Sequence, residues 1–221
     1  MKNKSVLIIT LSLVLMASLF FIATQLYQSE QVKSPGFKER EDFKVLVPDY
    51  AVRKGSVSAK VVVVEFFDPQ CESCREFYPE MDSIMNDYQG KIQLVLRYAA
   101  FHGDSIFAIK ILEAARKQNR YWEVLEVLYE HQPEWGSHHN PQPDLVWKYL
   151  PQANVDLEKL KTDMNNPEIQ RIIEQDTKDG QRLGVRLTPS FYINGKALQD
   201  FGADFLRQAI NEALQEEVSP E

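Results

Sequence analysis

The apolar positions of this chain change period several times, and each change marks an element. Residues 61–67, Val-Val-Val-Val-Glu-Phe-Phe, form a β-branched and aromatic run with one charge, Glu65. The run is too short for a helix pair and predicts a buried strand. Asp68-Pro69-Gln70 breaks it, and from Cys71 the period becomes helical. Phe77, Tyr78, Met81, Ile84, Met85 and Tyr88 recur at three- and four-residue spacing until Gly90 closes the helix. Residues 92–98 read as a second strand. Strand, helix and strand in about 35 residues predict a right-handed parallel unit.

Upstream, residues 45–52 predict a short edge strand, followed by a turn at Lys54-Gly55-Ser56. Downstream the pattern stays helical for a long stretch. Asp104 or Ser105 can cap a helix carrying Ile106, Ile109 and Leu112, and residues 121–129 predict another with Trp122, Leu125 and Leu128 on one side. Asn140-Pro141-Gln142-Pro143 interrupts, short helices are expected over 145–150 and 157–164, and Pro167 opens a longer one through Ile169, Ile172, Ile173 and Leu183. After Gly184, residues 190–193, Asn194-Gly195 and residues 196–198 predict a hairpin with a type I′ turn. A last amphipathic helix presents Phe205, Leu206, Ala209, Ile210, Ala213 and Leu214 as its buried face, and the acidic end 216–221 is expected to fray.

The N-terminus has a different character. Lys2 and Lys4 precede an apolar run from Val6 to Ala23, extendable to Tyr27 and interrupted by Thr10, Ser12 and Ser18. As a helix, about 20 residues span a ~30 Å hydrocarbon core. Residues 1–27 are therefore expected to be a single-pass anchor, with a cleaved signal peptide as the alternative. The leading lysines put the N-terminus in the cytoplasm and the rest on the periplasmic, extracytoplasmic side of the inner membrane. Residues 28–44 are polar and aperiodic and predict a tether, leaving 45–221 as the folded part.

Composition narrows the chemistry. The chain has 221 residues, 44% of them hydrophobic, enough for one sizeable core. A net charge of -7 without a Lys/Arg cluster argues against a nucleic-acid partner. There are only 2 cysteines, and both lie in Cys71-Glu72-Ser73-Cys74. A disulfide-stapled scaffold would spread its cysteines, and a structural zinc site needs four ligands, so the two act as one unit. They sit at the first turn of a helix after a buried strand, where free backbone N–H groups and the helix dipole favour a thiolate.

The ordered features of residues 45–214 carry a resemblance. Glu65-Phe66-Phe67 stands ahead of Cys71-x-x-Cys74, which opens a helix containing Pro79. Phe101-His102, Tyr121-Trp122-Glu123, Thr188-Pro189 and the hairpin Asn194-Gly195-Lys196 follow. This resembles the DsbA-like thiol-disulfide oxidoreductases of the thioredoxin superfamily. The resemblance implies an α/β thioredoxin fold, a central mixed sheet flanked by helices, with an all-helical domain inserted at about 103–183. It implies Cys71 as the exposed attacking thiol, Cys74 as the buried resolving thiol and Glu65 as a buried carboxylate able to accept the Cys74 proton. A cis peptide before Pro189 is implied, and Thr188 and Pro189 are then substrate-binding, pairing with an extended segment.

The expected activity is disulfide exchange with extended or unfolded protein substrates, in the oxidising direction. A reductase of the same fold, or a non-catalytic peptide-binding or holdase module, is the alternative. No cofactor and no metal are expected beyond the redox-active disulfide Cys71–Cys74. The enzyme is expected to be a monomer with a membrane redox partner, a quinone reductase or a thiol carrier. Glu72-Ser73 departs from the Pro-His of the strongest oxidants in the family. Its charge should raise the Cys71 pKa, giving a potential between roughly -270 and -120 mV. Trp135, His138 and His139 are read as an exposed loop, His102 as a boundary histidine, and Trp122, Tyr129 and Trp147 as core of the insert.

Overall fold

The computed structural model describes residues 39–216, together with Met16 and Ser18. Nearly all of the expected anchor and most of the expected tether therefore lie outside the described residues. Among the described residues no helix is long and apolar enough to cross a membrane.

A five-stranded mixed sheet forms the centre, in the order β1-β3-β2-β4-β5. Its middle strand, β2 (Val61–Phe67), is buried along nearly its whole length. It runs parallel to β3 (Ile92–Tyr98), with Val61 opposite Ile92 and Phe67 opposite Tyr98. On its other side it is antiparallel to β4 (Ser190–Ile193), with Glu65 opposite Phe191. A strand flanked on both edges and covered on both faces tolerates little besides apolar side chains, which explains its four valines. The edges are short, as edges exposed to other chains tend to be: β1 (Val52–Gly55) beside β3 and β5 (Lys196–Ala197) beside β4. The β4–β5 turn is as predicted, with Asn194 at φ 45° and Gly195 at φ 92°.

The β2–β3 crossover is α2 (Glu72–Asp87), which turns Cys74, Phe77, Met81, Ile84 and Met85 into the core. Between β3 and β4 the chain is entirely helical: α3 (Ser105–Arg116), α4 (Tyr121–Glu130), α5 (Gln132–Trp135), α6 (Val146–Tyr149), α7 (Leu157–Asp163) and α8 (Pro167–Leu183), with single 3-10 turns at Pro143–Leu145 and Leu150–Ala153. Pro167 does open α8, and the Asn166 side chain accepts from Glu168 N at 2.9 Å. The last helix is α9 (Ala203–Gln215).

Four expectations need correction. Residues 45–52 are not an edge strand: the chain is helical in α1 (Glu39–Leu46), including the end of the expected tether, and the edge strand begins at Val52. The reason is Arg97, wholly buried on β3, which donates to the carbonyls of Val45 and Leu46 at the α1 C-terminus. Trp135 is no loop residue but is 0% exposed at the end of α5, its Nε1 donating to Leu128 O at 2.8 Å. Phe205 is half exposed, because the apolar seam of α9 runs through Leu206, Ile210 and Ala213, one residue further on. Trp122 and Trp147 are only partly buried and lie at the margin of the insert core.

Candidate active site

The β2–α2 junction builds the site. Asp68-Pro69-Gln70-Cys71 is a tight turn closed by Cys71 N donating to Asp68 O at 3.0 Å, with Asp and Pro in the first two positions that such turns favour. Cys71 becomes the N-cap of α2, in extended conformation, and its carbonyl accepts from Arg75 N at 3.1 Å. The unpaired N–H groups of the first turn point toward its sulfur.

Both cysteines are free thiols. Cys71 is 7% exposed and Cys74 1%, so the expected exposed thiol is largely covered, though less so than its neighbour. The difference in their chemistry is much larger. A hydrogen bond from the Cys74 thiol is the main influence pulling the Cys71 pKa down to about 5, against the opposing effect of burial. The Thr188 side chain and the backbone N–H groups of Cys74 and Ser73 add to it. Cys74 is pushed well above its ordinary value, first by burial, then by its bond to Cys71 and the negative charges of Glu65 and Cys71. Asp68 N donates to its sulfur at 3.5 Å, the one opposing contribution. Glu72 is not among the main influences on the Cys71 pKa, which the hydrogen bonds at the helix tip and burial set.

Thr188 and Pro189 lie across from the thiol, joined by a cis peptide. Cys71 Sγ donates to Thr188 O at 3.4 Å, across 117 residues of sequence. Glu65 is 8% exposed, and among the described residues none donates a hydrogen bond to its carboxyl. It faces a cavity of about 10 Å³ that Tyr78, Asp82, Leu94, Trp122 and Tyr129 also line, room for about one water. Burial first, and then the Cys71 charge, raise its pKa to about 8. All five residues expected to form the site are thus near one another or connected through Cys74.

Asp68 organises the surroundings. Its buried carboxylate accepts from Gln70 N (2.8 Å) and Ser105 Oγ (2.6 Å) at one oxygen, and from Phe101 N (2.8 Å), His102 N (3.2 Å) and His102 Nδ1 (2.8 Å) at the other. Ser105 thus opens α3 bonded to the catalytic turn rather than capping its own helix. His102 is bonded to the site as well, and its ring packs on His138 with centroids 4.8 Å apart. Among the described residues no group of three or more His, Cys, Asp or Glu could hold a metal ion.

A thioredoxin family model matches residues 49–212. A Bacillus anthracis protein named "Probable disulfide bond formation protein D" is 32% identical over 171 residues, covering 72% of this chain and 76% of that one. The chain belongs to the DsbA-like thiol-disulfide oxidoreductases of the thioredoxin superfamily. Among solved structures, a thioredoxin-like oxidoreductase from Silicibacter pomeroyi superposes with a TM-score of 0.69 at 29% identity, covering 79% of this chain and 98% of that one. Oxidised BdbD from Bacillus subtilis gives 0.66 at 26% identity, covering 74% and 92%. The chain also matches a Na(+)/H(+) antiporter NhaA of Herminiimonas arsenicoxydans, 23% identical over 146 residues, but spans only 22% of that protein's length.

Within this DsbA-like site, sequence reasoning passed over Asp68, Gln70, Ser105 and Gln132. An Asp-Pro turn directly before the first cysteine was a usable signal for Asp68. Gln132 gave none, since its contacts cross 61 residues and more.

Proposed function

We propose that this DsbA-like protein oxidises thiols of extended protein substrates through the Cys71–Cys74 pair. The observation that carries the direction is the opposed pair of thiols, one pulled down to about 5 and the other pushed up. In the oxidised enzyme a substrate thiolate attacks Cys71 Sγ. A substrate–Cys71 disulfide forms, the Cys71–Cys74 bond breaks, and Cys74 leaves as a thiolate that takes a proton. Glu65, protonated up to about pH 8, is the acid buried near that sulfur, and its charge is among the groups that raise the Cys74 pKa. A second substrate thiolate then attacks the substrate sulfur, and Cys71 departs. Two electrons end on the enzyme dithiol and the substrate keeps its new disulfide.

A leaving thiol of low pKa departs faster, and a stabilised thiolate makes its disulfide more oxidising. A pKa of about 5 lies between the ~7 of thioredoxin and the ~3.5 of DsbA. It supports a potential between the roughly -270 and -120 mV of those two. The Thr188 carbonyl, opposite the reacting sulfur, is an acceptor to which a substrate backbone N–H can pair, in strand-addition fashion. The same reading puts the enzyme outside the cytoplasm, held by its N-terminal apolar run, with a membrane quinone reductase or thiol carrier restoring its redox state. The support is the apolar sequence of residues 6–23 and a dithiol suited to an oxidising compartment.

Reoxidation of a reduced, unfolded disulfide protein, compared with reduction of insulin, tests the direction. The oxidised enzyme should accelerate the first by at least tenfold more than the second. Cys71→Ala should abolish both, and Cys74→Ala should accumulate mixed disulfides through Cys71. Efficient insulin reduction without oxidase activity would reverse the assignment.

A further inference from the structure

The helical layer meets the catalytic turn at the start of α3, through Ser105, and again where α5 begins. Gln132 is 1% exposed, and its Nε2 donates to Pro69 O at 2.9 Å and to Cys71 O at 3.0 Å. Two carbonyl acceptors leave no choice about which way the amide faces: the nitrogen must point at the turn. The Pro69 carbonyl has no other donor among the described residues. Gln70, the residue between the two carbonyls, is tied to the same corner. Its Oε1 accepts from Asp104 N at 2.7 Å and its Nε2 donates to Gly136 O at 3.4 Å. Gly136 makes the approach possible. A Cβ there would stand 3.3 Å from the Cγ atoms of both Gln70 and Gln132 and from Gln132 O. Its φ of -109° suits any residue, so the glycine is there for space rather than for backbone freedom.

We infer that Gln132 is a positioning residue of the redox site, an amide that reaches from the helical insert to clamp the peptide planes on either side of Gln70-Cys71 and so tunes how oxidising the pair is. The inference rests on the disulfide-exchange reading of that pair. Its physics is short. The direction of the Cys71 Cβ–Sγ bond follows from the backbone on either side, and the N–H groups of Ser73 and Cys74, which add to the bond from the Cys74 thiol, reach the sulfur only while it faces them. One donor holding both carbonyls fixes that backbone and keeps the negative ends of two peptide dipoles engaged away from the sulfur. Without the donor, the Pro69 carbonyl is buried and unpaired, and the turn relaxes to satisfy it.

The test is Gln132→Met, which keeps the volume and removes the donor. Two quantities are read on the isolated protein: the Cys71 pKa, by thiolate ultraviolet absorbance, and the equilibrium with glutathione. The variant should raise the Cys71 pKa by about one unit and shift the equilibrium about tenfold toward the enzyme disulfide, near 30 mV more negative. Gly136→Ala, which pushes the two glutamine stems apart, should move both quantities in the same direction and serves if Gln132→Met does not fold. Leu160→Ala, a cavity in the same helical layer away from the turn, controls for lost stability and should leave both unchanged. Wild-type values in a folded Gln132→Met, or in Gly136→Ala if only that variant folds, would overturn the inference. So would an equal shift in Leu160→Ala. None of these readouts uses a protein substrate, so failure of the disulfide-exchange reading would show separately, as wild-type protein that does not turn over reduced protein.

Discussion

Cys71 and Cys74 start as the same functional group and end with acidities shifted in opposite directions, because the two residues between them put one sulfur at the helix tip and the other beneath it. Labelling of the dithiol protein by iodoacetamide should follow the ionisation of Cys71, with a midpoint near pH 5 and a plateau above about pH 6, while Cys74 stays unlabelled. A midpoint near pH 8 to 9 would remove the thiolate. Glu65 titrates in the other sense. Folded protein holds its proton up to about pH 8, whereas the unfolded chain releases it near 4.5, so Glu65 costs stability increasingly as pH rises through that window. Glu65→Gln removes the cost, and urea unfolding should show no gain below pH 4.5 and a gain of about 3 kcal/mol at pH 7. A gain independent of pH would mean that the carboxyl titrates alike in the folded and unfolded states. These three residues were legible in the sequence because a cysteine pair at a helix start, and a lone acid among valines, have few other uses. Gln132 is a common residue type whose work consists of hydrogen bonds to a distant segment, which no local pattern encodes, and Asp68 had only its place in the Asp-Pro turn to mark it.

Elements with a single strong period were legible too: β2, α2, β3, α8 and the β4–β5 hairpin. The failures fall where a tertiary contact decides. Residues 45–47 are apolar enough for a strand, yet they end a helix because the Arg97 guanidinium, 51 and 52 residues away, satisfies its terminal carbonyls. Arg97 also binds Asp176 and Asp179 on α8, at 2.8 and 2.6 Å, and lies over the ring of Phe66. Breaking a buried ion pair on one side leaves charges without compensation, which costs about 3–5 kcal/mol. Arg97→Met should therefore lower the melting temperature by about 10 °C. The Cys71 pKa should not move, since no residue of this cluster bonds to the catalytic turn. A coupled change would link the α1–α8 side of the sheet to the thiols.

At the scale of the molecule, redox state and folding stability are linked. In the dithiol form the Cys71 proton is lost near pH 5 in the folded protein and near 9 in the unfolded chain. Between those values the unfolded state binds more protons, so dithiol stability rises with pH across that window and falls as pH drops toward 5. The disulfide form lacks the group, and the burial cost of Glu65 is common to both and largely cancels. The melting temperature of the dithiol form minus that of the disulfide form should thus increase steadily from pH 5 to 9. A constant difference would contradict the depressed thiol. The reactive sulfur also depends on a partner made much later: Thr188 follows Cys71 by 117 residues. At about 5–20 residues per second, a ribosome adds that stretch in roughly 6–23 s. Throughout that interval Cys71 lacks the carbonyl that later faces it, and the groove for an extended partner closes only once the far half of the fold has been synthesised.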